Sequence, residues 1–279
     1  MTWRGSTGLE PESTSSARNL NQLLQPTNAS LPLSVLGNDA VHVWRIPVVA
    51  EPAMSSTFSR LLTADEQTRG KRYTRDGDRL RYQLGRAAMR CLLARYLDVS
   101  PQQVGMQPNH AGKPQLDAAT IAAHGLIHFN LSHSGSWVVA AFARSFAVGI
   151  DVEALSAESA SAKVIEYVLS DREAMVLRAL PRAKQTAAFF KGWTSKEAFV
   201  KGIGMGLSAG LKSIEVSVDP EQPAQLISAP PEYRPELWQL HTLERSEGYV
   251  ATLAIAAPGA SAAQIVEIAV DSAGSVLEH

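Results

Sequence analysis

The sequence predicts an α+β fold built from two similar α/β halves. Two capping boxes, Thr63 to Glu66 and Ser170 to Glu173, each open a helical stretch, and they lie 107 residues apart. The same offset superimposes the strand-like segment 41–46 on 148–153. It also superimposes the long helical segment 79–96 on a second one near residue 196. We therefore expect two copies of a unit made of a strand, a capped helix, a long helix and a further strand.

The chain divides into three parts on this reading. Residues 1–40 are rich in Ser, Thr, Asn, Pro and Gly with little periodicity, which predicts a poorly ordered N-terminal tail. Residues 41–146 form the first half and residues 147–276 the second half. The segment Leu277-Glu-His279 resembles the start of a purification tag. Further strands are predicted at 103–107, 212–218, 237–243, 249–256 and 265–270.

Composition limits the function classes. A chain of 279 residues with 45% hydrophobic residues can bury a sizeable core. The net charge of −1 gives no global field that favours nucleic acid or membrane. Cys91 is the single cysteine, so no internal disulfide forms, as is usual in a reducing compartment. No apolar run approaches the ~18 residues of a membrane span, and the start lacks a signal-peptide layout. We expect a cytoplasmic protein that binds neither nucleic acid nor membranes.

Two acids lie in a strand that otherwise reads as buried, Val148-Gly-Ile-Asp-Val-Glu153. In an extended strand Asp151 and Glu153 project from one face about 6 to 7 Å apart, while Ile150 and Val152 face the other way. Their repulsion is relieved by a cation, and an all-oxygen set without Cys or clustered His suits Mg²⁺ better than Zn²⁺. The alternative is an ordinary solvent-facing pair of acids on an edge strand.

A second charged set lies on a helix. Phe189, Trp193, Lys196, Glu197 and Lys201 recur at three- and four-residue steps, which predicts that they share one side of this helix. One interpretation is an ordinary Glu197–Lys201 ion pair beside an aromatic core stripe. In the other, the charges lie at the margin of the core, where the acid completes a metal site and the lysines meet an anion.

The segment 127–142 reads as a strand, a polar turn from Ser132 to Ser136, and a strand. Hydroxyls, an imidazole and turn N–H groups suit a phosphate contact, although His133 alone is also compatible with a surface turn. Upstream, Gly112-Lys-Pro114 ends a polar loop in which Lys113 offers a point charge. The glycines from Gly202 to Gly206 follow a helix and lack the dinucleotide-binding spacing, and the chain has no P-loop motif.

These segments together resemble a known family. Gly112-Lys-Pro114, Phe129-Asn-Leu-Ser-His-Ser134, Val148-Gly-Ile-Asp-Val-Glu153 and Trp193-Thr-Ser-Lys-Glu-Ala-Phe-Val-Lys201 occur in the order and spacing of the 4′-phosphopantetheinyl transferases. The longer, monomeric branch that includes the surfactin synthetase activator is the most similar, over roughly residues 41–256. The resemblance implies a monomer with a pseudo-twofold fold and an active site between the halves.

The resemblance also implies a reaction. The enzyme would move the 4′-phosphopantetheine group of coenzyme A onto a serine of an apo acyl or peptidyl carrier protein, releasing adenosine 3′,5′-bisphosphate. Such carriers serve fatty-acid, polyketide or nonribosomal peptide synthesis. The metal would be Mg²⁺, or Mn²⁺ in its place. The family's metal ligands match Asp151, Glu153 and Glu197, and its catalytic residues match Asp151, Lys196 and Glu197, with Glu197 accepting the serine proton instead of, or as well as, holding the metal.

The family's coenzyme A contacts match further positions. Lys196 and Lys201 would offset charge on the pyrophosphate, and Ser132 and His133 would bind phosphates. Lys113 and Pro114 would lie near the nucleotide. In the basic stretch 69–86, Arg69 and Arg81 match residues at the 3′-phosphate and adenine, although such a stretch is also typical of a solvated helix face.

Two other functions remain compatible with the same residues. One is a non-catalytic module that binds coenzyme A or a carrier protein. The other is a Mg²⁺-dependent phosphodiesterase that cleaves coenzyme A without a carrier protein. The presence of all three acids and both lysines favours the transferase over the non-catalytic module.

Overall fold

The computed structural model describes residues 36–48, 58, 60–206, 210–243, 247–257 and 263–270. The predicted N-terminal tail lies outside these residues as far as residue 35, and so does the predicted tag Leu277-Glu-His279. Among the described residues, no helix is both long and apolar enough to cross a membrane.

The first half begins with a strand and contains one long helix. Its elements are β1 (Ala40–Pro47), α1 (Ala64–Gly70), α2 (Asp76–Leu97), β2 (Met106–Pro108), β3 (Pro114–Leu116), α3 (Ala118–His124), β4 (His128–Ser134) and β5 (Trp137–Ala143).

The second half also begins with a strand and contains one long helix, and it has additional antiparallel strand pairs. Its elements are β6 (Ala147–Ala154), α4 (Ala162–Val168), α5 (Asp171–Ala179), α6 (Arg182–Ile203), β7 (Glu215–Val216), β8 (Leu226–Ser228), β9 (Trp238–Thr242), β10 (Tyr249–Ala256) and β11 (Gln264–Ala269). Short 3₁₀ turns cover Pro101–Gln103, Leu211–Ser213, Pro231–Tyr233 and Pro235–Leu237.

The predicted repeat is confirmed at the level of elements. Strands β1 and β6 have the same length, and both begin and end 107 residues apart. Both predicted capping boxes are present, at the start of α1 and of α5. Helices α2 and α6 are 22 residues long each, and each ends at a residue in the left-handed conformation. The α+β fold class is therefore correct.

Two sheets form the framework. The first has the order β11-β1-β5-β4, and the second has the order β6-β10-β9. Strand β1 runs antiparallel to β5 and parallel to β11. The C-terminal strand β11, which the sequence assigns to the second half, therefore completes the sheet of the first half.

Two predicted strands are wrong in large part. Most of 103–107 is not a strand, because the Ser100–Gln103 capping box closes a 3₁₀ turn before β2 begins at Met106. In 212–218, Gly210 leads into another 3₁₀ turn, and only the two residues of β7 are extended in a ladder. Local hydrogen bonds to side chains and a glycine turn override the strand propensity at both places.

Three apolar clusters stabilise the halves and join them. In the first, Trp44 and Phe142 of one sheet pack with Leu92 of α2. In the second, Phe189 and Phe199 of α6 pack on the other sheet. The third cluster lies between the sheets and includes Val41, Val43, Val139, Val148, Ile150, Val152 and Leu253. Because side chains alternate along a strand, the opposite face of β6 is left for Asp151 and Glu153, as predicted.

Gly149 allows α6 to lie directly on β6. A Cβ atom at this position would lie 2.0 Å from the carbonyl oxygen of Ala198 and 2.3 Å from the amide nitrogen of Gly202. Any larger residue would push the helix away from the strand. This close approach brings the last turns of α6, which carry Glu197 and Lys201, over the acidic face of β6.

Candidate active site

The site lies where β4 of the first half meets β6 of the second. The Asn130 side-chain oxygen accepts the Ile150 amide at 2.8 Å. Two and four residues further along β4, Ser132 Oγ donates to Asp151 Oδ1 and Ser134 Oγ donates to Glu153 Oε2, each at 2.7 Å. One face of β4 is thus bonded, position by position, to the acidic strand of the other half.

Lys201 joins this arrangement from α6. Its Nζ donates to Ser132 Oγ at 2.9 Å and to Asp151 Oδ1 at 2.5 Å. The side chain of Asp151 is 4% exposed, whereas that of Lys201 is 28% exposed. The lysine therefore neutralises a buried carboxylate while its own side chain is partly exposed to solvent. Three elements from both halves converge at this point.

The three predicted metal ligands influence one another. Burial, and next the charge of Asp151, raise the pKa of Glu153 to about 6. The same two causes, in the same order, raise the pKa of Glu197, while Lys201 acts in the opposite direction. Crowded carboxylates that are partly withdrawn from water favour a bound cation or a proton.

The donor set fits a Mg²⁺ ion in its chemistry. Asp151 Oδ2 is buried and has no hydrogen-bond partner. Among the described residues, no group of three or more His, Cys, Asp or Glu side chains is placed to hold a metal as the side chains stand. Lys201 is bonded to the other oxygen of Asp151, and Ser134 holds Glu153. Mg²⁺ is commonly held by one or two carboxylates together with substrate phosphates and waters, so a closed protein cage is not required.

The predicted phosphate contacts lie at the end of β4. Burial, then the charges of Lys201 and Arg81, lower the pKa of His133, so its imidazole is neutral at physiological pH and donates a single N–H. Arg81 Nη1 donates to the Gly135 carbonyl at 3.0 Å. Gly135 has a φ of +53°, and its Cβ would lie 2.3 Å from the Tyr249 hydroxyl oxygen. This hydroxyl accepts the Ser136 amide, so side chains from both halves fix the turn after His133.

A cavity of about 500 Å³ opens beside the acidic site. Asn130, two residues before Ser132 on β4, lines it and also bonds to β6. Of the predicted coenzyme A contacts, Arg69 and Pro114 line this cavity. The other polar or aromatic lining residues are Thr63, Asp65, Glu66, Tyr73, Tyr82, Arg86, Arg90, Gln107 and Phe129.

Lys113 makes contacts between the two halves that the sequence did not indicate. Its Nζ donates to the carbonyl oxygens of Val148, at 3.0 Å, and Gly202, at 3.2 Å. Burial lowers its pKa to about 8. Lys113 thus bridges the two halves, while its neighbours Gly112 and Pro114 line the cavity.

The prediction that Lys196 faces the site is wrong. Lys196 is fully buried, with an exposed fraction of 0%. Its Nζ donates to Glu173 Oε2 at 2.5 Å and to the carbonyls of Val168 and Leu211. Adjacent helix positions differ by about 100° in direction, so Lys196 points into the second core, whereas Glu197 and Lys201 face β6.

Sequence analysis missed three residues of the site. Asn130 and Ser134 share the face of β4 that carries Ser132, and strand alternation would have identified them. The predicted polar turn begins at Ser132, whereas β4 continues to Ser134, so the prediction did not place Ser134 on the strand. Arg86 lines the cavity while bonded to Glu66, a pairing that the sequence does not indicate.

Comparison with known proteins identifies the family of this chain. A family model described as 4′-phosphopantetheinyl transferase, N-terminal, matches residues 50–145, and one described as the 4′-phosphopantetheinyl transferase superfamily matches residues 147–254. The chain is 35% identical to the 4′-phosphopantetheinyl transferase HetI of Nostoc sp. over 82% of this chain and 92% of HetI. It is 29% identical to the 4′-phosphopantetheinyl transferase Sfp of Bacillus subtilis over 72% of this chain and 85% of Sfp.

A solved structure gives a weaker match. The holo-(acyl-carrier-protein) synthase of Bacillus anthracis, in complex with CoA (3′,5′-ADP), is 23% identical and aligns with a TM-score of 0.33 over 39% of this chain and 93% of that one. A fit of that score supports no conclusion about the site, and the assignment depends on the sequence matches. The chain belongs to the 4′-phosphopantetheinyl transferase family.

Proposed function

We propose that this protein transfers the 4′-phosphopantetheine group of coenzyme A to a serine hydroxyl of an apo acyl or peptidyl carrier protein. The observation that carries the proposal is the convergence of Ser132, Asp151 and Lys201, from β4, β6 and α6, beside a cavity with basic residues. The names of the relatives agree, since HetI and Sfp are both 4′-phosphopantetheinyl transferases.

The reaction forms one P–O bond and breaks another. The carrier serine oxygen attacks the phosphorus that bears the pantetheine group, and the bond from that phosphorus to the bridging oxygen of the pyrophosphate breaks. Adenosine 3′,5′-bisphosphate leaves with the bonding electrons, and the serine proton goes to a base. Positioning and charge neutralisation supply most of the catalysis in such transfers.

Asp151, Glu153 and Glu197 would hold a Mg²⁺ ion. The support is the buried, unpartnered Oδ2 of Asp151 and the raised pKa values of Glu153 and Glu197, to which burial and then the charge of Asp151 contribute. A bound divalent cation supplies neutralisation of the pyrophosphate oxygens. Mn²⁺ has the same preference for oxygen ligands and would serve in its place.

Glu197 is the proposed base. Its raised pKa makes it a better proton acceptor than an ordinary exposed carboxylate, and the Lys201 charge acts to keep it ionised. Lys201, whose side chain is partly exposed, would contact the pyrophosphate with its ammonium. The neutral His133 would donate a hydrogen bond to a phosphate oxygen, and Ser132 would do so by turning its single hydroxyl hydrogen away from Asp151.

The cavity between α1, α2 and β4 is the proposed nucleotide site. Arg69 supplies positive charge there, Arg86 is paired with the lining residue Glu66, and the aromatic rings of Tyr73 and Tyr82 offer a stacking surface for adenine. Arg81 is proposed to act at the turn after His133, where it already bonds to Gly135. We expect the protein to act as a cytoplasmic monomer.

Mass spectrometry of an apo carrier protein incubated with enzyme, coenzyme A and Mg²⁺ tests this proposal. We expect the carrier to gain the mass of one phosphopantetheine group, with equimolar release of adenosine 3′,5′-bisphosphate and loss of activity on chelation. A carrier of unchanged mass, with coenzyme A intact, would indicate the non-catalytic binding module. Cleavage of coenzyme A in the absence of carrier would indicate the phosphodiesterase.

A further inference from the structure

The loop between β2 and β3 reaches from the first half to the C-terminal end of α6. Lys113 Nζ donates to the Gly202 carbonyl in the last turn of that helix and to the Val148 carbonyl on β6. Asn109 Nδ2, from the same loop, donates to the Gly204 carbonyl at 3.0 Å. Two side chains of the first half therefore hold the end of a second-half helix.

The end of a helix is a favourable place for such donors. The last carbonyls of an α-helix have no partner within the helix, and the helix dipole makes this end negative. Lys113 is half-buried, and its ammonium donates to these two carbonyl oxygens. Hydrogen bonds from a charged group contribute more to stability than neutral ones.

The loop is rigid enough to act as a clamp. Asn109 Oδ1 accepts the amides of Ala111 and Lys113, each at 2.9 Å. The Asn109 amide in turn donates to the Lys113 carbonyl at 2.8 Å. Asn109 thus fixes the backbone of Lys113 through one side-chain atom and holds α6 through another.

The clamped atoms lie next to the catalytic groups. Gly202 follows Lys201 directly, and Val148 lies three residues before Asp151. The Lys113 ammonium is therefore a single group that ties together the helix carrying Lys201 and the strand carrying Asp151. These two elements are also the pair whose close approach Gly149 permits.

We propose that Lys113, together with Asn109, is a positioning residue that holds α6 on β6 so that Glu197 and Lys201 stay aligned with Asp151. This inference rests on the proposed transferase function. The alternative is that the Lys113 ammonium contacts the nucleotide directly. The position of Gly112 and Pro114 in the cavity wall would favour that alternative.

Steady-state kinetics of Lys113→Met separate the two roles. We expect kcat to fall by about 10- to 100-fold, because a small misplacement of catalytic groups is costly. The KM values for coenzyme A and for dephospho-coenzyme A should both stay within about twofold, since a twofold change is well below 1 kcal/mol. Lys113→Arg, which keeps a cation at the helix end, should recover a large part of kcat. The exposed Lys163 of α4 provides the matched control, and Lys163→Met should behave as wild type.

Hydrogen exchange gives a readout that does not depend on turnover. The Gly204 amide bonds to the Val200 carbonyl at the end of α6, and its exchange reports the order of the last turn. Lys113→Met and Asn109→Ala should each increase exchange in the 200–206 segment by about tenfold or more, with wild-type exchange in α2. Asn109→Ala also keeps the test available if Lys113→Met fails to fold.

Three outcomes would overturn the inference. A rise in KM for coenzyme A that is smaller for dephospho-coenzyme A would make Lys113 a ligand of the 3′-phosphate. A lower melting temperature with unchanged kcat and unchanged exchange in α6 would make it a structural residue only. Wild-type kinetics and exchange in both variants would show that the clamp has no role. If wild-type enzyme modified no carrier while the exchange result held, the proposed function would fail and the clamp would stand.

Discussion

Strands β1 and β6 occupy the same position in the two halves but differ in what their inner face carries. At the 107-residue offset, Asp151 and Glu153 of β6 correspond to Trp44 and Ile46 of β1. Trp44 is 0% and Ile46 is 3% exposed, both in the first core beneath α2. At these two positions the repeated architecture therefore buries apolar side chains in the first half and carries the acids of the proposed site in the second.

The buried ion pairs show what the halves have in common. In each half, the Glu of the capping box is buried and paired with a cation from the long helix. Glu66 bonds to Arg90 and Arg86, and Glu173 bonds to Lys196. Lys196 thus corresponds to the arginines of α2, since each neutralises a buried capping-box Glu. Lys201 instead bonds to Asp151, an acid that has no counterpart on β1. One sequence motif on α6 therefore supplies both Lys196, which stabilises the fold, and Lys201, which lies in the proposed site.

The largest expected effect is on stability, at the buried ion pair that both halves share. Lys196→Met should reduce the free energy of unfolding by about 3 to 5 kcal/mol, because it leaves Glu173 buried and unpaired. Urea unfolding measures the loss. The control Lys196→Met/Glu173→Gln removes the buried charge and keeps one of the two acceptor oxygens that the Ser170 and Val216 amides use, so it should recover part of the loss. A stability close to wild type in the single variant would refute the structural role.

The next largest effect is on turnover, at the acids that β6 carries and β1 lacks. Asp151→Asn should lower kcat for carrier modification by about 100-fold or more, as the loss of an electrostatic group at the reacting atoms does. Its side chain retains a donor and an acceptor for Ser132, so we expect a small change in melting temperature. Turnover of apo carrier protein by the purified variant measures the effect, and wild-type turnover would remove Asp151 from the site.

A smaller effect is expected on the pH dependence of protein stability, through the ionisation of Glu153. The pKa of Glu153 is raised to about 6 in the folded protein, so the folded state binds this proton more tightly than the unfolded state. Without divalent cation, the contribution of Glu153 to stability should be most favourable below the unfolded pKa and decline as pH rises through about 6. Glu153→Gln removes the charge, so we expect it to be more stable than wild type at pH above 6.

Chemical unfolding of both proteins across this pH range, in the presence of a chelator, measures the difference. The difference between variant and wild type should vanish toward low pH. A constant difference at all pH values, or a less stable variant above the window, would contradict the assigned environment of Glu153.

The smallest effect is expected at His133. Because its pKa is lowered, the side chain acts as a neutral donor, and His133→Gln offers a similar N–H group. We expect His133→Ala to raise KM for coenzyme A by about 5- to 30-fold, equivalent to one to two kcal/mol. His133→Gln should raise it less. An equal loss in both variants would indicate that the imidazole contributes something other than one hydrogen bond.

The fold was largely predictable from sequence because its signals are local and repeated. The capping boxes at Thr63 and Ser170 mark helix starts by hydrogen bonds between near neighbours. Alternation along β6 correctly separated Asp151 from Ile150. The parallel pairing of β11 with β1 was not predictable, because it joins residues more than 200 positions apart and no local pattern records it.

The site was predictable in part. The acids and Lys201 were identified from their motifs, and their convergence depends on Gly149, whose meaning is visible only once the helix lies on the strand. The prediction that Lys196 faces the site fails because the five residues from Phe189 to Lys201 do not all share one side of the helix. Positions 196 and 201 differ by about 140° around the helix axis. The partners of Lys113 are backbone carbonyls of distant segments, and a sequence does not show such contacts.

The most direct measurement compares the two lysines of α6. Turnover of apo carrier protein per folded enzyme is measured for Lys201→Met and for Lys196→Met/Glu173→Gln, with melting temperatures alongside. The account predicts that Lys201→Met loses about 100-fold or more in kcat and that the double variant keeps the wild-type kcat with a lower melting temperature. Full activity in Lys201→Met, or a comparable loss of kcat in the folded double variant, would contradict the division of α6 into a structural and a catalytic face.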